Sequence, residues 1–575
     1  MKINPTSLVD IIQSRAKYQP QRLAYRFLVD GEDEEEVMNY EELDRRARSV
    51  GALLQSSLKA GDRALLFFQP GLDFITTYLG CLYAGVIAVP SYPPHSARLH
   101  ISLPGIRRMA ADAGAAAILL NKPLFDAIHA RNDIQSEFGS IKLLVTGVHE
   151  IEQLAAHYRR PAIAGNDLAF LQYTSGSTSI PRGVMISHSN LMHNMSVIEK
   201  YFDVTEKTHS VIWLPPYHDM GLIGGILQPL YSGFPVTLMP HLTFLQRPFR
   251  WLQAMSRFRA TISAAPNFAY DLCIRKITPQ QLQLLDLSHW KSAFVGAEPV
   301  YHKTLDKFAD YFSQCGFRRE AFVPCYGLAE STLLVCAKPK DLLPTIRHFQ
   351  QQKAIENKIA VSTEKSEESQ QTLVSCGNIS SGQILKIVNP NTHVQCKPEE
   401  EGEIWIKGPS VAGGYWNNTA ETIATFNAQL SDNSETHFLR TGDLGFICEG
   451  ELYVTGRLKD LIISEGKNYS PYDIERSVEA SNPDICPLSC AAFSIINDGH
   501  EVVIIVAEVT SKIFVNEEEI INSIRTTVSL NHGLHVHVVK LTKPGSIPRT
   551  TSGKIIRFRC REQYSSGLFK EIETT

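Results

Sequence analysis

The sequence predicts an α/β fold: a large N-terminal part of several subdomains with mainly parallel, helix-covered sheets, then a small α+β C-terminal domain. Three observations predict it. Helical and strand-like hydrophobic patterns alternate through the first 170 residues. The same rhythm returns between residues 211 and 295. Composition and pattern both change after Gly456–Arg457. Alternation of this kind suits a parallel sheet, because each crossover helix carries the chain back over one face.

Taken in order, Tyr40 to Leu58 reads as an amphipathic helix, with Leu43, Ala47, Val50, Leu53 and Leu54 on one face. Arg63 to Phe68 reads as a buried strand, Phe74 to Ala84 as a helix and Val86 to Val89 as the next strand. The acidic run Glu32 to Glu36 is expected to be a solvated turn. Further strands are expected at Val211–Leu214, Val236–Met239, Thr261–Ala264 and Ser292–Val295. A polar tract over residues 340–374 reads as an insertion. Beyond it, Leu461–Ile463 reads as a strand and Tyr472–Ala480 as a helix. Val502–Val509 and the alternating Leu534–Leu541 read as strands. The expected division is residues 1–458 and 459–575.

At roughly 150 residues per domain, 575 residues would suggest about four domains. One large α/β assembly absorbs much of that length. Hydrophobic residues at 43% supply a large core and exclude a mostly disordered chain. Lys plus Arg is 56 against 60 Asp plus Glu, which excludes a polybasic nucleic-acid binder. The 11 cysteines are dispersed without a CxxC pair, as expected of reduced thiols in a cytoplasmic protein. No long apolar run precedes Asp10, so a secretory signal is not expected. Phe74–Pro94 and Met220–Pro240 are uncharged over a membrane-span length, but Pro and Gly break both. A buried helix followed by a buried strand is expected of each, with no stable membrane insertion.

Tyr173 to His188 reads YTSGSTSIPRGVMISH and follows the apolar run Leu168–Leu171. Thr174, Ser175, Gly176, Ser177 and Thr178 offer hydroxyls and free backbone N–H groups that can wrap phosphate oxygens. A Ser/Thr linker would look similar. It is not a Walker A loop, since no GK[ST] follows. CYGLAEST at Cys325–Thr332 sets an aromatic ring beside a Gly and near a carboxylate. A core Tyr and a surface Glu would give the same letters. Pro548 to Arg557, PRTTSGKIIR, taken alone is an exposed basic loop.

Together these segments resemble the adenylate-forming enzymes: acyl-CoA synthetases, luciferases and peptide-synthetase adenylation domains. The first resembles their phosphate loop, with Ser179 in place of a Gly and Arg182 in place of a Lys. The resemblance implies that ATP and Mg²⁺ bind, with adenine stacked on Tyr326 beside Gly327 and the metal on Glu330. Gly296-Ala297-Glu298-Pro299 resembles the second adenine-side loop. Thr441-Gly442-Asp443-Leu444 resembles the motif whose Asp binds the ribose hydroxyls. Gly456-Arg457-Leu458-Lys459-Asp460 resembles the hinge motif, which implies Arg457 near the ribose, Lys459 as hinge and a mobile C-terminal domain. PRTTSGKIIR resembles the motif of the catalytic lysine, which implies that role for Lys554.

His218-Asp219-Met220-Gly221-Leu222, TISAAPNFAY at 261–270 and GKNYSPYDIE at 466–475 resemble the fatty acyl-AMP ligase branch. The 340–374 tract lies where that branch carries residues that hinder acyl-CoA formation. The implied reaction activates a medium- or long-chain fatty acid with ATP, releasing pyrophosphate. The acyl group then passes to the thiol of a holo acyl carrier protein, on a separate chain or a polyketide or peptide synthase module. A fatty acyl-CoA ligase is the alternative. An aliphatic tail gains about 0.8 kcal/mol per buried CH₂, so an apolar channel is expected. Ile212, His218 and Phe268 are its first candidates, with Gly327 and Leu328 beside them; most of the surrounding apolar residues read equally as core.

Overall fold

The computed structural model describes residues 5–93, 99–130, 138–146, 149–174, 182–351, 359–361, 370–464, 467–497, 500–510, 516–550 and 553–569. Two largely parallel sheets and one antiparallel sheet frame the N-terminal part. In the nine-stranded sheet, Phe322–Gly327, Ser292–Val295, Ile262–Ala265, Ser210–Ile212, Val236–Leu238 and Leu23–Leu28 lie side by side and parallel. Antiparallel strands finish both edges: Leu334–Ala337 with Asn378–Ile379, and Glu35–Asn39. The six-stranded sheet runs Lys142–Val145, Ala117–Leu120, Arg63–Phe67, Ile87–Ser91, Leu168–Thr174 and Arg182–Ser187, with only the last pairing antiparallel. Its central strands are apolar on both sides because elements cover both faces; Leu65, Leu66, Ile118 and Leu119 are wholly buried.

The expected amphipathic helix spans Tyr40–Ser57, capped by Asn39, whose side chain accepts from the Glu42 N–H. It packs on the helix Leu72–Ala84 at Gly80. A Cβ there would sit 2.4 Å from Val50 Cγ1, so only a bare Cα permits this approach. The two uncharged stretches are a helix and strand (Leu72–Ala84, Ile87–Ser91) and a π-helical turn, short helix and strand (Met220–Leu227, Gln228–Ser232, Val236–Leu238). Among the described residues, no helix is long and apolar enough to cross a membrane.

Two details add to these expectations and one corrects them. Parallel pairing does not extend to the third large sheet, where Ile384–Val388, Gly402–Lys407, Asn433–Cys448, Ala428–Leu430 and Glu451–Arg457 pair antiparallel throughout. The 340–374 tract contains strands of its own. Ile346–Gln351 pairs with Ile359–Val361 and Gln370–Val374, and Phe349 is buried against Phe446 and Tyr453. The acidic run is only partly a turn. Glu35 opens a strand, and Glu32 accepts from both Arg247 and Arg250 at 2.8 Å.

The C-terminal part has its own core. The strands Ile485–Asn497, His500–Val509 and Val536–Thr542 form one sheet. Alternate residues serve opposite faces, as period two requires. Ala492, Val503, Ile505 and Ala507 pack with Ile474, Val478, Ile520 and Ile524 of two helices, Pro471–Ser481 and Glu517–His532. Ala491, Phe493, Ile504 and Val506 pack with Ile547, Cys560 and Phe569. Arg557 is 7% exposed and is held by Glu475 through two bonds, 2.8 and 2.6 Å. All 11 cysteines are free thiols.

Candidate active site

A cavity of about 2460 Å³ opens beyond the carboxyl ends of the parallel strands, where the C-terminal part closes over them. Loops leaving such strand ends have free backbone groups and no helix yet covering them, which is why ligands collect there. Ala297, Glu298 and Pro299 follow the strand Ser292–Val295. Tyr326 and Gly327 end the strand Phe322–Gly327. His218 lies beyond Ser210–Ile212. All line the cavity, together with Asp443, Arg457, Lys459 and Lys554 from later in the chain.

Tyr326 is buried, and its hydroxyl donates to Asp443 Oδ2 at 2.8 Å. Arg457 Nε donates to the other oxygen, Oδ1, at 3.0 Å. Asp443 holds the Arg457 guanidinium firmly in its charged form. The carboxylate is thereby fixed between an aromatic ring and a cation, 117 and 14 residues away in sequence. Gly327 is obligatory, since a Cβ there would lie 1.8 Å from the Leu333 carbonyl oxygen. Gly296 is similarly tight against Cys325. Ala297 has φ of 67°, a conformation that costs on the order of 1 kcal/mol for a residue with a Cβ. Glu298 accepts the Phe268 N–H at 2.6 Å, and burial raises its carboxyl pKa. Leu328 lines the same wall.

Glu330 lines the same cavity. Burial raises its carboxyl pKa, while the Tyr415 hydroxyl donates to its Oε1 at 2.9 Å. Among the described residues, no cluster of three or more His, Cys, Asp or Glu could cage a metal. A single buried carboxylate suits Mg²⁺ that brings its remaining oxygens from water and phosphate. Thr174 ends the strand Leu168–Thr174 and lines the cavity. Ser175, Gly176, Ser177 and Thr178, with Ser179, lie outside the described residues. Arg182 is paired with Glu421 at 2.7 Å and lies over the Tyr415 ring.

Lys554 sits on a tight turn. The Thr550 N–H donates to the Lys554 carbonyl at 2.7 Å, and the Lys554 N–H donates to the Thr550 hydroxyl at 3.0 Å. Gly553 has φ of 89°, and a Cβ there would meet the Phe268 ring at 3.3 Å. The Lys554 ammonium faces Asp219 and Glu298. Burial pushes its pKa down, and those two carboxylates oppose the fall. His218 Nδ1 lies 2.7 Å from Asp219 Oδ1, which orients the ring. Lys459 occupies an exposed turn, Leu458–Asp460.

An apolar arm runs from this polar chamber into the N-terminal part. Ile198, Phe202, Val204, Phe234, Phe294 and Leu334 line it. Ile212 lines the arm too and is 2% exposed. Phe268 stands apart from it, packed on Trp213 and the Gly553 turn.

Sequence reasoning missed several partners. Asp219 was quoted only within its motif, and Tyr415 carried no signal of its own. Arg476 was also missed. It reaches from the helix Pro471–Ser481 to the N-terminal part, its guanidinium carbon 3.3 Å from the centre of the Tyr301 ring and its Nη2 3.6 Å from Asp271. Tyr415 and Arg476 carry no chemical signal in the sequence; only proximity in space marks them.

Comparison with known proteins places the chain in a family. Residues 12–416 match the family model of AMP-binding enzymes, and residues 459–574 match the AMP domain of the Disco-interacting protein 2-like model. The medium-chain-fatty-acid–[acyl-carrier-protein] ligase JamA of Moorena producens is 42% identical, covering 99% of this chain and 96% of its own. FadD21 of Mycobacterium tuberculosis, which carries a fatty-acid–CoA ligase name, is 36% identical over 99% and 100%. The crystal structure of the fatty acyl-adenylate ligase from Legionella pneumophila, in complex with acyl adenylate and pyrophosphate, is 40% identical. It superposes with a TM-score of 0.77, covering 98% of this chain and 96% of that one.

Proposed function

The chain belongs to the AMP-binding, adenylate-forming enzymes, and from that membership we propose that it joins a medium- or long-chain fatty acid to AMP and hands the acyl group to a carrier protein. The observation that carries the reading is the convergence of Lys554, Asp443, Arg457 and Tyr326 on one chamber from which an apolar arm departs.

ATP enters with its ribose hydroxyls toward Asp443 and its adenine beside Tyr326 and the 296–299 loop. Two adjacent hydroxyls suit a carboxylate that Arg457 holds in place. The phosphates extend past Thr174 toward Ser175, Gly176, Ser177 and Thr178. Mg²⁺ held at Glu330 would neutralise charge on the phosphate oxygens. The fatty tail fills the apolar arm and its carboxylate meets the chamber near His218. That carboxylate is ionised at neutral pH, so no general base is required. One carboxylate oxygen attacks the α-phosphorus in line. The new bond joins carboxyl oxygen to phosphorus, the α–β bridge breaks, and pyrophosphate leaves with its electron pair. Lys554 offsets the charge that gathers on the equatorial oxygens.

Transfer follows in a second arrangement. The part beyond residue 458 turns about Lys459 and withdraws Lys554. A phosphopantetheine thiolate then attacks the acyl carbonyl and AMP departs. The sheet within 340–374, anchored by Phe349, supports a carrier protein over coenzyme A as acceptor. The test supplies wild-type enzyme, ATP and dodecanoic acid with coenzyme A, or with a holo carrier protein. Acylation of the carrier with little acyl-CoA is expected. Rapid acyl-CoA formation would overturn the choice of acceptor. Removing residues 345–372 should raise acyl-CoA formation.

A further inference from the structure

We infer that Phe202 closes the far end of the apolar arm and sets the longest fatty tail the enzyme accepts, at about ten to twelve carbons. The inference rests on the fatty-acid reading above. The floor of the arm is the nine-stranded sheet. Ile262, Ala264 and Phe294 lie in strands with a paired neighbour on both sides, yet all three are partly exposed and line the cavity. Ser263 and Ala265, on the opposite face, are wholly buried. Surface inside a sheet persists only where no element covers the face, and here that uncovered strip is the arm. Strand pairing gives its depth. From Cys325, level with Gly296, to Ile262, level with Ser292, the floor descends four residues, or about 13 Å of parallel strand. An extended chain advances about 1.2 Å per bond, so about eleven bonds span that floor.

Beyond Ile262 the exposure ends. Phe202 is 2% exposed, and it forms one buried cluster with Val204 and Phe234, on which Ile262 and Phe294 pack. Phe234 lies two residues before Val236, which pairs with Ser210 at the level of Ile262. The cluster therefore stands at the deep end of the floor. Phe202 is the last residue of the helix His188–Phe202. Its ring meets Phe294 edge to face, with 4.6 Å between centres and 83° between planes. That is the favourable geometry for an aromatic pair, so the ring is held in place. A longer tail has to break the pair or fold back into the polar chamber. Each methylene stranded there forfeits its burial.

The experiment measures pyrophosphate release with straight-chain acids from hexanoic to octadecanoic, for wild type, Phe202→Ala and Ala264→Phe. Acids are compared within each protein, so a general loss of activity cannot mimic a change of preference. In wild type, kcat/KM should climb by about fourfold per added CH₂ up to the limit. It should then fall by roughly tenfold or more between dodecanoic and octadecanoic acid. Phe202→Ala leaves a cavity beyond the floor and should move the optimum to longer acids. Ala264→Phe fills the arm beside Phe294 and should move it to shorter ones. An unmoved optimum in Phe202→Ala, or wild-type enzyme that uses octadecanoic acid as well as dodecanoic acid, overturns the inference. Should Phe202→Ala fail to fold, the wild-type profile and Ala264→Phe decide, and an unmoved optimum in the latter is equally fatal. A flat profile across lengths overturns this inference alone. If no straight-chain acid releases pyrophosphate, the fatty-acid reading itself fails and this one falls with it.

Discussion

Arg476 lies over Tyr301, with its guanidinium carbon 3.3 Å from the ring centre, and joins the C-terminal part to the wall of the ATP chamber. Asp271 accepts from the Thr304 hydroxyl at 3.0 Å and faces Arg476 at 3.6 Å, so the cation is held on two sides. In this arrangement Lys554 faces Asp219 and Glu298. On the mechanism proposed above, the contact holds the arrangement in which adenylation would occur.

Arg476→Ala should weaken that arrangement selectively. A cation over an aromatic ring contributes about 0.5–2 kcal/mol. Acyl-adenylate formation in single turnover should slow about tenfold. Transfer from preformed acyl-adenylate to the carrier should keep its rate. Equal slowing of both steps would show a general structural loss instead.

Tyr326→Phe removes the hydroxyl that donates to Asp443 but keeps the ring. Arg457 still holds the carboxylate, so ATP affinity should fall by only about 1 kcal/mol. Asp443→Ala should cost considerably more and leave Arg457 without its partner. Calorimetric titration of ATP into the two variants checks the order.

Arg557→Met should destabilise the C-terminal part by about 3–5 kcal/mol, because it leaves the Glu475 carboxylate buried without a counter-charge. Replacing both members by apolar residues of similar size should recover most of that loss. Chemical denaturation followed by intrinsic fluorescence reads both.

Glu479 gives a pH dependence with a defined sign. Burial raises its carboxyl pKa to about 7, above the roughly 4.3 of an unfolded glutamate. The folded state therefore holds the proton more tightly. Stability from this group is fully present below the unfolded value and is lost as pH rises through the folded one. Glu479→Gln should match wild type near the lower value and exceed it near neutrality. A set of melting curves across that window tests this; parallel profiles would contradict it.

The sequence made some features legible because they are local. The helix Tyr40–Ser57 follows from the spacing of Leu43, Ala47, Val50 and Leu54. Strands such as Ser292–Val295 follow from short apolar runs. The motifs around Tyr326, Asp443 and Lys554 pointed to one chamber although they lie far apart in the chain. Contacts between distant surfaces left no such trace. Arg476 and Tyr301 sit in ordinary helix and loop sequence, and Tyr415 meets Glu330 only after the chain has folded. The strand Ile485–Asn497 carries Pro487 and a bulge, which break its pattern. The sheet Ile346–Val374 hides in polar composition; among its described residues Phe349 and Val374 are the buried apolar ones.

The central claim is that Lys554 promotes acyl-adenylate formation in this chamber. The most direct measurement follows acyl-AMP by mass spectrometry after mixing enzyme, ATP, Mg²⁺ and a fatty acid, for wild type and Lys554→Ala, with ATP affinity measured in parallel. Wild type should accumulate acyl-AMP. The variant should bind ATP about as well and lose nearly all of the product. Undiminished acyl-AMP in the variant, or none with wild type across a panel of chain lengths, would contradict the account.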